Sequence, residues 1–90
     1  TPLTDRDTNA LQDFFFRTAD RMRIEGCANA IANEGLSLVL YSPHEALLDH
    51  YLGLLLERLR RQSPQPRIEV YFPTSTESLI ARCRSSVRSR

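Results

Sequence analysis

The sequence predicts a small α/β domain in the order α–β–α–β–α, three-layer-like, with a minimal parallel sheet. Three observations predict it. Two short apolar runs, residues 36–41 and 67–72, read as strands between turn signals. Each leads through Pro into a box of the type hydroxyl–x–x–Glu. The two boxes, Ser42 to Glu45 and Thr74 to Glu77, lie 32 residues apart, the length of one strand–helix unit. The segments before, between and after the strands carry apolar residues at helical spacing.

The first helix starts at Thr4-Asp5-Arg6-Asp7, a capping box with Asp in place of Glu. Leu11, Phe14, Phe15, Thr18, Ala19 and Met22 then share one face, and Phe16 falls outside that stripe. Ile24, Cys27, Ala28 and Ile31 continue the same spacing, with Gly26 as a kink. Asn33-Glu34-Gly35 reads as a helix stop, because Gly takes the left-handed C′ conformation without steric cost. The expected helix covers residues 5–33.

The run 36–41 is almost wholly apolar, as suits a strand covered on both faces. Ser42 then reads as a cap, with Pro43 in the first helical position. The second helix is expected to reach about residue 61. Its apolar positions are Leu47, Leu48, Tyr51, Leu52, Leu54, Leu55, Leu56 and Leu59. That stripe is wider than the ~100° that one buried face requires, so two sides need cover. Pro64 and Pro66 end the helix in a loop. Residues 67–72 alternate polar and apolar, as a strand with one solvated face does. A third helix follows Thr74, with Leu79, Ile80, Cys83 and Val87 on one face. Residues 1–84 form a single domain in this reading, and 85–90 a frayed basic tail.

Two strands joined by a crossover helix are parallel. A parallel sheet of two strands is not a stable end state. The expectation is completion by a second copy, pairing edge to edge across a two-fold axis, or by a larger protein.

Composition bounds the function. A chain of 90 residues with 41% hydrophobic and 26% charged residues is one folded domain rather than a disordered tail. No apolar run is long enough to span a bilayer as a helix, and no basic-then-apolar leader opens the sequence. A cytoplasmic location is the expectation. Cys27 and Cys83 fall on apolar helical faces and read as buried free thiols, a bridge between them being the alternative.

Chemistry could sit beyond the carboxyl ends of the strands, where helix N-termini attract anions. Ser42, His44, Thr74, Ser75 and Thr76 line such a place, although capping is the plainer use of those hydroxyls. Neither loop has the Gly-rich, Lys-containing phosphate-binding pattern. His44 and His50 are six residues apart, roughly 240° around a helix, which is the wrong spacing for two ligands of one zinc ion. No Gly-x-Ser-x-Gly occurs, and neither Cys opens a helix. An enzyme, a resident cofactor and a metal are therefore not expected.

Charge is divided along the chain. Residues 1–45 hold four Arg against seven Asp and Glu, and residues 46–90 hold eight Arg against four. All twelve basic residues are Arg, as a GC-rich genome would also produce. Arg58, Arg60, Arg61, Arg67, Arg82, Arg84 and Arg88 are expected to gather at one pole. There they complement helix dipoles, or form a basic patch for nucleic acid or an acidic partner.

The leading expectation is a non-enzymatic, cytoplasmic interaction module that forms a homodimer or docks to a partner protein. Phe14, Phe15, Phe16, Tyr51, Leu52, Leu55 and Leu56 are its candidate interface. An anion- or nucleotide-binding domain is the first alternative and nucleic-acid binding the second.

Overall fold

Helix α1, Asp5–Arg21, begins at the expected box: the Thr4 hydroxyl accepts the Asp7 N–H at 3.1 Å, and the Asp7 carboxylate accepts the Thr4 N–H at 3.3 Å. These features come from a computed structural model that describes residues 4–32 and 34–88, with side chains to position 84.

The helix does not continue to residue 33. Ile24 N–H donates to the Ala19 carbonyl at 2.9 Å and Arg23 N–H to the Asp20 carbonyl at 3.1 Å. Arg23 takes a left-handed φ of 56°. This is a Schellman stop with Arg where Gly is usual, and its C3 and C″ residues, Ala19 and Ile24, are both buried.

The segment expected to finish the helix is strand β1, Glu25–Ile31, followed by β2, Gly35–Tyr41. They form an antiparallel hairpin with Cys27 opposite Val39 and Ile31 opposite Gly35. Helix α2 is Glu45–Arg60, strand β3 is Arg67–Tyr71 and helix α3 is Thr76–Arg88. Residues 85–88, expected in a frayed tail, are thus helical in backbone, while 89 and 90 lie outside the described residues. The order is α–β–β–α–β–α, and the sheet is mixed, β1-β2-β3, with β2 and β3 parallel. The α/β class and the parallel pair agree with the sequence. The third strand, β1, comes from the same chain.

Central strand β2 alternates between two covered faces. Leu36, Leu38 and Leu40 join Leu11, Phe15, Ala19, Ile24, Tyr51 and Leu55 in one buried cluster under α1 and α2. Ile68 and Val70 of β3 pack against its margin. The surplus face of α2 is partly met by α1: the Tyr51 hydroxyl donates to the Phe15 carbonyl at 3.2 Å, and Arg58 stacks 5.1 Å from the Phe14 ring centroid.

The opposite face carries Val39, buried at 3% exposure, in register with Cys27 on one side and Tyr71 on the other. Helix α3 lies there, as the Cys27–Cys83 disulfide requires. The free-thiol expectation is therefore corrected: the helical face assigned to Cys27 does not exist, and strand β1 turns it toward α3. Gly35 sits where β2 meets β3, so close that any Cβ would overlap the Arg67 backbone.

Candidate functional site

Three groups of residues were candidates on sequence grounds, and the fold separates them. The first is the pair of loops after β2 and β3. Both lie at the carboxyl end of the parallel pair, but their hydroxyls are occupied locally. Ser42 is buried at 7% exposure and accepts the His44 N–H at 3.1 Å, a hydroxyl turn two residues long. His44 is the residue that precedes α2, and its side chain makes no capping bond. The Ser42–Glu45 box is therefore not formed, because the helix starts two residues later than the box requires.

At α3 the cap also shifts. Ser75, not Thr74, accepts the Ser78 N–H at 3.1 Å, and its carbonyl accepts the Leu79 N–H at 3.0 Å. Thr74 and Thr76 are exposed. An open cleft of about 500 Å³ runs past Phe72, Thr74, Ser78 and Arg82.

The second group is the Arg set. Arg60 and Arg61 share Glu57 at 3.5 and 3.1 Å. Arg67 bridges Glu34 at 3.0 Å and Glu69. Its hydrogen bond with Glu34, reinforced by the charge of Glu69, holds its guanidinium above the usual Arg range. Arg58 is half-buried against Phe14, with its Nε out of contact with solvent and without a hydrogen-bond partner. Arg82 lies 4.4 Å from the Tyr71 ring centroid, at the end of β3 opposite to Arg67. Arg84 is exposed, and the Arg88 side chain lies outside the described residues. The expected pole is thus divided between two ends of the sheet, and Arg60, Arg61 and Arg67 within it are paired with carboxylates.

The third group is apolar. Phe15, Tyr51 and Leu55, expected at an interface, are 2%, 1% and 3% exposed and form the domain's own core. Burial pushes the Tyr51 hydroxyl up to about 12. Phe14 is half-buried, edge-on to Phe15. Leu52 is half-buried, while Phe16 and Leu56 remain open at 42% and 60% exposure.

Four further apolar side chains are exposed: Leu54, Tyr71, Phe72 and Ile80. The last three were not marked as surface by the sequence, although their position at the end of the alternating strand 67–72 and on a helix with a single apolar stripe is the signal. Beside Phe16 an open cleft of about 480 Å³ has a floor of Phe15, Leu38, Leu40 and Tyr51, with Asp20, Arg23 and Glu25 on its lining. The outer edges of β1 and β3 pair with no strand among the described residues.

No group of three or more His, Cys, Asp or Glu side chains converges among the described residues, and no helix there is long and apolar enough to cross a membrane. Comparison with protein-family models, curated proteins and solved structures finds no match.

Proposed function

We propose that the chain is a non-enzymatic protein-interaction module that self-associates through the β3 edge and the apolar surface that α2 leaves uncovered. The observation that carries this reading is the open edge of β3, Arg67–Tyr71, which runs directly into exposed Phe72. An unpaired edge offers backbone N–H and C=O groups to another strand, and native sheets usually protect such edges. Leu54 and Leu56 add exposed apolar area on α2, where the sequence shows more Leu than one sheet face can cover. A homodimer is the simplest assembly that pairs such an edge, because a two-fold axis presents the same strand twice.

The two alternatives have less support. Ser42 and Ser75 already accept backbone N–H groups, which weakens the anion site. Arg60, Arg61 and Arg67 are neutralised by Glu57, Glu34 and Glu69, which weakens the nucleic-acid surface. A cytoplasmic location belongs to the same proposal; in a reducing compartment, a bridge such as Cys27–Cys83 is transient or redox-sensing rather than permanent.

The test is the mass of the chain by sedimentation equilibrium across the micromolar range. A concentration-dependent dimer that Leu56→Asp and Phe72→Asp dissociate is the expected result. A monomer throughout overturns the reading.

A further inference from the structure

Helix α3 is weakly held by burial. Among its described side chains only Leu79 is buried, at 5% exposure, while Ile80 is 47% exposed and Arg82 and Arg84 face solvent. Two adjacent residues fasten the middle of the helix instead. Cys83 is bonded to Cys27 on edge strand β1, and Arg82 stacks on Tyr71 of edge strand β3. Cys27, Val39 and Tyr71 form one row across the sheet, so the helix is pinned at both ends of that row and roofs Val39 between them. A helix of 13 residues without such fastening is marginal in water.

Both Cys residues are half-buried rather than enclosed, and Cys27 lies on a strand whose outer edge is open. A thiolate can therefore approach the bridge. The bridge also joins positions 56 residues apart, so no short loop holds Cys83 beside Cys27 once it opens.

We propose that Cys27–Cys83 is a redox latch. A dithiol reductant opens it, and α3 leaves the sheet while the α1/α2 side of the domain stays folded. In the first step, a thiolate of the reductant attacks one sulfur, forming a mixed disulfide and expelling the other Cys as thiolate. In the second, the reductant's remaining thiol displaces the first Cys. The reductant becomes a disulfide, and its two electrons and two protons end on Cys27 and Cys83. Release uncovers Val39 and frees a helix with an apolar stripe of Leu79, Ile80 and Cys83 beside Arg82 and Arg84. The latch is independent of whether the chain dimerises.

Trypsin tests it on the full chain, since every basic residue is Arg and α3 holds three of them. The oxidised chain is compared with chain that has been reduced, carboxamidomethylated and freed of reductant. Cleavage after Arg82 and Arg84 is expected to accelerate on the order of tenfold on reduction, with cleavage after Arg17 and Arg21 in α1 unchanged. A Cys27→Ser/Cys83→Ser double variant is expected to match the reduced chain under both conditions. Equal rates at Arg82 in oxidised and reduced chain overturn the latch. So does equal acceleration at Arg17, which would make the bridge a staple of the whole fold. Retained protection of α3 in the double variant overturns it as well.

Discussion

The Arg82 guanidinium lies 4.4 Å from the centroid of the Tyr71 ring, while the next residue, Cys83, is bonded to Cys27 on the far side of the sheet. One turn of α3 thus spans all three strands. The Tyr71 hydroxyl donates to Glu69 at 3.1 Å, which steadies the ring that Arg82 covers. Replacing the charge while keeping the stem removes the cation from the stack. Arg82→Met is expected to lower stability by about 0.5–1 kcal/mol in chemical denaturation, the value of an exposed cation–π pair. No loss of stability would mean that the stem alone holds the contact.

Gly35 is the tightest point of the sheet. Its Cβ position is filled by the Arg67 backbone, and the Arg67 N–H donates to the Glu34 carbonyl at 2.7 Å beside it. Gly35→Ala must push β2 and β3 apart. A destabilisation of roughly 1–3 kcal/mol is expected, as for overpacking in a rigid interior. Gly53, with open space around its Cβ position, is the control: Gly53→Ala is expected to stabilise α2 by about 0.5–1 kcal/mol.

Arg23 holds a left-handed conformation that costs a side-chain-bearing residue about 1–2 kcal/mol. Arg23→Gly relieves that cost but gives the unfolded chain more freedom. The net expectation is a gain of about 0.5–1 kcal/mol, read as a higher denaturation midpoint with an unchanged slope. A loss of stability would contradict the Schellman assignment.

The same turn explains what the sequence concealed. Ile24, Cys27, Ala28 and Ile31 sit at helical spacing, so the segment matches a helix on period. As strand β1 it places small residues, Gly26, Ala28 and Ala30, on the face under α1, and Cys27, Asn29 and Ile31 on the face under α3. No β-branched pattern announced this, because the hairpin is decided by pairing with β2 rather than by local preference. Gly26 was the one local sign against a helix. A Cβ there would overlap the Val39 carbonyl, so the position needs Gly in the sheet and gains nothing from it in a helix.

Strand β2 was legible because it is buried on both faces, and β3 because it alternates. The candidate interface was only half legible. Helical spacing identifies an apolar stripe but does not say which members turn inward, and Phe15 of α1 meets Tyr51 and Leu55 of α2 in the domain's own core.

Tyr51 gives the domain an alkaline limit. Burial raises its hydroxyl from 10.0 to about 12. The unfolded chain then loses this proton at lower pH than the folded one does. Stability from this residue is complete below pH 10 and falls as pH rises through 12, by roughly 2–3 kcal/mol in all. Tyr51→Phe is expected to cost about 1 kcal/mol at neutral pH through the lost bond to Phe15, and to abolish the fall between pH 10 and 12. An alkaline fall of the same size in both chains would place its origin elsewhere.

Sedimentation equilibrium of the oxidised chain at micromolar concentration tests the proposed interaction module most directly. Twice the mass of one chain is expected, returning to a single-chain mass in Leu56→Asp and Phe72→Asp variants that keep the helical circular dichroism of the parent. A single-chain mass at every concentration contradicts it.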